Sequence, residues 1–280
     1  MSNLDFVKAQ GLGNDFVIAD GTQESLRGVD LFDLAKRVCD RNFGIGGDGL
    51  ILVLPSNVAD CRMQIINSDG SEAEMCGNGI RCFARYLLER GRMCDTVTVE
   101  TLAGIKTVTV AKTGGRTGFT VNMGAPRLNA EEIPVQGYDG QVISQPLDVD
   151  GEILNITCVS MGNPHCITFV DSVKDVPLST LGPKIETHKA FPKKTNVEFI
   201  EVLGEDEINF RVWERGAGPT LACGTGACAS VVAGVLNKKI KNAATVHLPG
   251  GDLFIEWRKD GNVYMTGPAE EVFTGTYKLQ

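Results

Sequence analysis

Two short landmarks recur in this chain at nearly the same spacing, and no other feature narrows its fold as far. Gly13-Asn14-Asp15-Phe16-Val17-Ile18 resembles Gly162-Asn163-Pro164-His165-Cys166-Ile167, with the asparagines 149 positions apart. Cys76-Gly77-Asn78-Gly79 resembles Cys223-Gly224-Thr225-Gly226, with the cysteines 147 positions apart. Two unrelated landmarks in the same order, at almost one offset, imply a diverged duplication. No low-complexity linker marks the join, which falls near residues 122–130. The 280 residues suffice for one large core or two smaller ones.

Short runs rich in Val, Ile, Thr and Phe, bounded by Gly, Asn and Asp, predict a strand-dominated chain. They include Phe16–Ile18, Leu50–Leu54, Met63–Ile66, Val97–Val99, Thr107–Val110, Phe119–Val121, Ile153–Cys158, Ile208–Trp213, Thr245–Leu248, Phe254–Trp257 and Val263–Met265. Lys112-Thr113-Gly114-Gly115-Arg116 and Asp260-Gly261 read as turns. Three helices are expected. One follows Asp30 as its N-cap, from Leu31 to about Cys39. A second follows Cys76 to Arg90, with Ile80, Phe83, Ala84, Leu87 and Leu88 on one face and Gly91 as a left-handed stop. The third follows Cys223 through Ala227, Val231, Val232, Val235 and Leu236, is apolar nearly all round, and should be buried on most sides.

Each Cys-Gly-x-Gly element therefore puts a cysteine at the start of a helix. Backbone N–H groups there attract negative charge. A thiol in that position is expected to titrate lower than usual, in a range of roughly 3.5–7.5. The same N–H groups, approached closely because glycine has no side chain, suit a carboxylate. With related halves, one thiolate could take a proton from a carbon while the other thiol returns one to its opposite face. The helix end is a modest contributor, about one pKa unit. Taken singly, such a cysteine fits a buried structural thiol as well. Cys82 and Cys228, further along the same helices, read as packing residues.

At these residues the sequence resembles the diaminopimelate epimerase family over nearly its whole length. The resemblance is carried by Gly11-Leu12-Gly13-Asn14-Asp15-Phe16, Gly44-Ile45-Gly46-Gly47-Asp48-Gly49, the run from Asn67 through Cys76 to Gly79, Gly162-Asn163-Pro164-His165, and the run from Trp213 through Cys223 to Gly226. It implies an α/β (α+β) chain of two pseudo-symmetric domains, each a curled β structure around a central helix, diaminopimelate epimerase-like, with the active site between them. The last strand, after about Pro268, would return to the first domain, giving residues 1–122 plus 268–280 and residues 123–267. The implied reaction is the interconversion of LL- and meso-diaminopimelate, which serves lysine and peptidoglycan synthesis, with no pyridoxal phosphate, no other cofactor and no metal.

By position, Cys76 and Cys223 would be the acid/base pair. Gly77, Asn78, Gly224 and Thr225 would give backbone N–H groups to the carboxylate at the reacting centre. Asn14, Asn67, Asn163, Asn196, Glu214 and Arg215 would hold the substrate. Arg215 suits a distal carboxylate, Glu214 a distal ammonium, and the asparagines offer donors and acceptors. On their own, Asn14, Asn67 and Asn163 also suit turns. Glu214-Arg215 also reads as an exposed ion pair, His165 as either packed or site-lining, and Asp48 as a turn cap. Gly49 stands where some members of the family carry Gln, and it is left out of the site.

A proline or hydroxyproline racemase of the same fold is the alternative. Asn78, where those enzymes usually have His, and the Glu214-Arg215 pair favour the diaminopimelate branch. A phenazine-synthesis-like isomerase would not need two cysteines, and a binding protein that kept the fold would not exchange a substrate proton. The net charge of −8, the pI of about 5.0 and the lack of a Lys/Arg run argue against a nucleic-acid partner. No apolar stretch reaches the roughly 20 residues of a membrane span. Met1-Ser2-Asn3-Leu4-Asp5 lacks the features of a signal peptide, so a cytoplasmic location is expected. Nine cysteines without C-x-x-C, and three histidines without zincin spacing, point to free thiols and no metal. The resemblance further implies a homodimer.

Overall fold

In the computed structural model, which describes residues 2–113 and 115–279, the chain divides into two compact units. The first is Met1–Val121 with Thr266–Gln280, and the second is Asn122–Met265. The first half of the chain runs β1 (Asn3–Gly11), β2 (Asn14–Asp20), α1 (Leu31–Cys39), β3 (Gly49–Leu54), β4 (Cys61–Asn67), β5 (Glu72–Ala73), α2 (Gly77–Glu89), β6 (Thr96–Thr101), β7 (Gly104–Thr113) and β8 (Arg116–Gly124). It continues as β9 (Gln145–Val149), β10 (Glu152–Ser160), β11 (Pro164–Phe169), α3 (Leu178–Glu186), β12 (Asn196–Gly204), β13 (Glu207–Glu214), β14 (Gly218–Pro219), α4 (Gly224–Leu236), β15 (Ala243–Leu248), β16 (Gly251–Trp257), β17 (Val263–Pro268) and β18 (Glu270–Lys278).

The pairing rules of the two units repeat step for step. In the first, β1–β2 is antiparallel, β2–β3 parallel, β3–β4 and β4–β5 antiparallel, β4–β6 parallel and β6–β7 antiparallel. In the second, β10–β11, β11–β12, β12–β13, β13–β14, β13–β15 and β15–β16 follow the same series. The helices enter at matching points, α1 and α3 before the parallel partner strand, α2 and α4 after the short fifth strand. Each parallel step needs a crossover of chain, and a helix supplies it. The duplication inferred from the two landmarks is thus a duplication of topology. The final strand β18 pairs antiparallel with β1, from Asn3↔Lys278 to Gln10↔Glu270, and belongs to the first unit.

Within each unit the sheet curls round one helix. Helix α2 packs on β1, β2, β3, β4 and β18, and α4 on β10, β11, β12, β15 and β16. Ala227, Cys228, Ala229, Val231, Val232 and Ala233 are all fully buried. With two glycines in its first turn and two adjacent valines, α4 has little intrinsic helical preference. Burial must hold it, at roughly 1.5–3 kcal/mol for each large apolar side chain. Helix α2 ends as its sequence predicts: Gly91 has φ of 64°, its N–H reaches Leu88 O, and Arg92 N–H reaches Leu87 O. Asp30 caps α1 by accepting from Phe32 and Asp33 N–H. Smaller cores complete each unit, one around Leu34, Ala35 and Val38 of α1, the other around Ile185 of α3, Phe191 and Phe199.

Helix α3 was not among the expected helices. Its sequence, LSTLGPKIE, carries Gly182 and Pro183 in the interior, and that pair reads as a breaker. Gly182 is there because the Trp213 indole lies against it: a Cβ would come within 2.6 Å of the ring. Of the two predicted turns, the one at Asp260-Gly261 forms, with Gly261 at φ 85°. The other joins β7 to β8 across Thr113↔Arg116, and its Gly114 lies outside the described residues. Among the described residues no helix is long and apolar enough to cross a membrane.

Candidate active site

In the first unit a two-residue hairpin delivers Asn14. Gly11 pairs with Asn14, and the turn residues Leu12 and Gly13 both have positive φ, 57° and 85°. That is the geometry that matches strand twist, and it suits Gly at the second position better than Leu at the first. Asn14 then begins β2, and its amide is pinned at both ends. Nδ2 donates to Asp48 Oδ2 at 2.5 Å, while Oδ1 accepts from Asn78 Nδ2 at 3.2 Å and from the Cys76 thiol at 3.6 Å. Asp48 also accepts from the Asp15 N–H and from Arg41, so it holds more than a turn.

Cys76 is the N-cap of α2, with extended backbone (φ −136°, ψ 120°), and its sulfur accepts the Gly79 N–H at 3.4 Å. The helix ladder starts with Ile80 N–H to Cys76 O, so the N–H groups of Gly77 and Asn78 belong to the turn ahead of it. Beneath them lies Arg81, fully buried. It donates to Gly77 O, Asn78 Oδ1 and Pro268 O, tying the start of α2 to the end of β17. Asn67 closes β4, its Nδ2 donating to Ser71 Oγ at 2.9 Å.

Asp15, beside Asn14, shows how charge is held here. Burial pushes its carboxyl up, but hydrogen bonds and charge from Arg41 and Lys8 outweigh that and bring it to about 2. A carboxyl lowered in the folded state stabilises it above the ordinary 3.8, and that contribution is lost as pH falls through about 2. Asp15→Asn is therefore expected to flatten the acid limb of stability below about pH 4. Urea midpoints at pH 3 and pH 6 check this: the wild type should lose more than the variant between them, and equal losses would refute it.

The second unit repeats the plan with different chemistry. The β10–β11 loop, Met161-Gly162-Asn163, uses Gly162 at φ 103° to present Asn163. Asn163 Nδ2 donates to Thr225 Oγ1 at 3.2 Å, and that hydroxyl lies 3.6 Å from the Cys223 sulfur. Cys223 is the N-cap of α4 and only 5% exposed. Here the expected low thiol pKa fails. Burial, then the carboxyl groups of Glu214 and Glu198, push the Cys223 thiol well above its ordinary value; the Thr225 hydroxyl and the Gly226 N–H draw it back only in part. A helix end contributes about one unit, too little to offset a buried sulfur beside two acids.

Glu214 closes β13, where Asn67 closes β4, and accepts the Thr220 hydroxyl. Asn196 is buried, with its amide held at both ends: Nδ2 donates to Pro164 O and Oδ1 accepts the Arg215 N–H, each at 2.9 Å. It acts as a strut that fixes Arg215, whose exposed side chain reaches Lys193 O. Gly224 and Thr225 form the first turn of α4, whose ladder starts with Ala227 N–H to Cys223 O. Gly49 is buried at the start of β3, and a Cβ there would come 2.9 Å from Ile66 O.

The structure also brings forward residues that were left out of the expected site. His165 is fully buried, with Nδ1 2.6 Å from Glu198 Oε1 and Nε2 3.0 Å from Asn163 Oδ1. Glu198, equally buried, stands in the apolar run Val197-Glu198-Phe199-Ile200, and a lone acid in such a run was its signal. Arg81 was legible only as a polar break in an apolar helix face. Potential metal-ligating atoms of His165, Glu198 and Cys223 lie within 4.8 Å of one another. The imidazole and carboxylate, however, are turned to each other.

A family model described as Diaminopimelate epimerase matches residues 6–129 and 157–272. The chain is 56% identical over 276 residues to a diaminopimelate epimerase of Pelotomaculum thermopropionicum, covering 98% of this chain and 99% of that one. It is also 56% identical over 279 residues to one of Moorella thermoacetica, covering 99% and 100%. Among solved structures, a phenazine biosynthesis protein of the PhzF family from Bacillus anthracis superposes with a TM-score of 0.73 at 19% identity, over all of both chains. A hydroxyproline epimerase from Agrobacterium vitis does so with 0.69 at 13% identity, over 98% of this chain and 92% of that one. At such identities the two structures share the fold and nothing more specific.

Proposed function

We propose, for a chain that belongs to the diaminopimelate epimerase family, that it interconverts LL- and meso-diaminopimelate by two-base proton transfer between Cys76 and Cys223. The observation that carries this is the matched pair of N-cap cysteines, each opening a 13-residue buried helix through a Gly-x-Gly turn, each with an Asn beside it.

In one direction the Cys76 thiolate removes the α-proton, and the Cys223 thiol delivers its own proton to the opposite face of the same carbon. The elevated pKa of Cys223 suits a group that enters as the acid. The reverse reaction exchanges the roles. First-turn N–H groups of Gly77, Asn78, Gly224 and Thr225 hold the carboxylate next to the reacting carbon, where negative charge builds up. Asn14, Asn67 and Asn163 orient the substrate, Glu214 and Arg215 bind its distal ammonium and carboxylate, and Asn196 fixes Arg215. Proline and hydroxyproline, which lack the second amino-acid end, would make no use of Glu214 and Arg215. The chemistry calls for neither metal nor cofactor. We further place the enzyme in the cytoplasm, in lysine and peptidoglycan synthesis, as a homodimer.

Incubation with LL-diaminopimelate in D2O tests the reading. Meso product carrying deuterium at the inverted α-carbon is expected. No product and no deuterium uptake, from folded and reduced protein, would overturn it.

A further inference from the structure

Four side chains of the second unit form one hydrogen-bonded line: Thr225, Asn163, His165 and Glu198. Its proton inventory follows from the donors. Asn163 gives Nδ2–H to Thr225 Oγ1, so its Oδ1 faces His165 Nε2 at 3.0 Å. An amide oxygen only accepts, so Nε2 carries a proton. The other ring nitrogen, Nδ1, meets Glu198 Oε1 at 2.6 Å, both residues being fully buried. That contact needs one proton between two atoms, whether it rests on nitrogen or on oxygen. Either way the pair has no net charge, which is the form a water-excluded site tolerates.

We propose that Glu198 is a positioning residue: by sharing that proton with His165 it locks the imidazole, and through it turns the Asn163 amide so that Nδ2 serves Thr225 beside Cys223. This rests on the functional reading above and adds to it a residue that touches no substrate.

Three features support the assignment. Gly226 leaves room for the carboxylate: a Cβ there would come 2.7 Å from Glu198 Oε1 and 3.2 Å from the Cys223 sulfur. Glu198 Oε2 is buried and makes no hydrogen bond with any described residue, so the carboxyl is held through Oε1 alone. A buried acid kept for its shape alone would cost more than the Leu or Gln that could replace it. Burial raises the Glu198 carboxyl, His165 lowers it, and Glu214 raises it again, which favours a shared proton over a bare carboxylate. The titratable groups that face Glu198 are His165 and Cys166 on β11, Glu214 on β13, and Cys223 at the start of α4.

The test joins an observation on the unaltered protein with two variants. With 15N-labelled histidine, only three side chains report. The His165 ring should show a protonated Nε2 and a strongly downfield proton on the Nδ1 side. A bare Nε2 would overturn the proposal whether or not any variant folds. Glu198→Ala should lower kcat/KM for LL-diaminopimelate about tenfold to a hundredfold, mostly through KM, because a freed amide grips the substrate less well. Glu198→Gln can still hold Nδ1 and should restore KM to within about threefold. A merely structural Glu198 would move melting in both variants without separating their KM values, and that outcome overturns the proposal. Absence of epimerase activity in the wild type would instead strike the functional reading, and the ring signals would still decide the role of Glu198.

Discussion

Replacing Cys76 or Cys223 by Ala is expected to lower the rate of diaminopimelate epimerisation by about a thousandfold, in the middle of the range that a positioned acid or base contributes. In the proposed mechanism each sulfur serves one face of the carbon, so losing either should remove inversion, and losing both should be hardly worse than losing one. The single variants separate two events that the wild type couples. Cys223→Ala keeps Cys76, which can still remove a proton and return one to the same face. Deuterium uptake without inversion is therefore expected from that variant. Ser at either position should rescue little, since a hydroxyl gives up its proton far less readily than a thiol. Chiral chromatography of the product and mass spectrometry of the residual substrate read both events. Epimerisation within tenfold of the wild type in either Ala variant would end the two-thiol mechanism.

Arg81→Met should cost the first unit about 3–5 kcal/mol, close to the upper end for one substitution. One buried guanidinium serves Gly77 O, Asn78 Oδ1 and Pro268 O at 2.9–3.1 Å. Methionine fills the volume but leaves those acceptors without this donor, at about 1–3 kcal/mol each before relaxation. The expected fall in melting temperature is roughly 10 °C, followed by circular dichroism because both tryptophans, Trp213 and Trp257, lie in the other unit. Activity should fall too: Arg81 holds the oxygen of the Asn78 amide, whose nitrogen serves Asn14 beside Cys76. Arg81→Lys should recover little, because one ammonium cannot span three acceptors set by a planar fork. An unchanged melting temperature in Arg81→Met would show that the start of α2 does not depend on this residue.

Much of this molecule is visible in its sequence wherever the signal is local. The cap at Asp30, the stop at Gly91 and the two Cys-Gly-x-Gly starts each depend on residues within about a turn of one another, and the three expected helices lie where they were placed. The strand runs named from composition all fall inside observed strands. Helix α3 escaped because Gly182-Pro183 looks like punctuation, whereas Gly182 answers a tertiary demand, the close approach of Trp213. The pairing of β18 with β1 joins residues about 270 positions apart, and no local pattern encodes such a partner. Only the family resemblance suggested it.

The division is clearest at the two cysteines. Their identity, their place before a helix and their kinship across the duplication lie in the order of residues along the chain, because capping and glycine geometry act over a few positions. Their protonation does not. The same motif leaves Cys76 half-buried with an N–H bond from Gly79, yet buries Cys223 beside Glu198 and Glu214, which push its thiol upward. Those acids come from strands, Glu198 from β12, 25 positions before Cys223, and Glu214 from the end of β13, nine before it. Solvent exclusion and through-space charge depend on which strands fold against the helix, so the electrostatic character of each thiol exists only once the chain has packed.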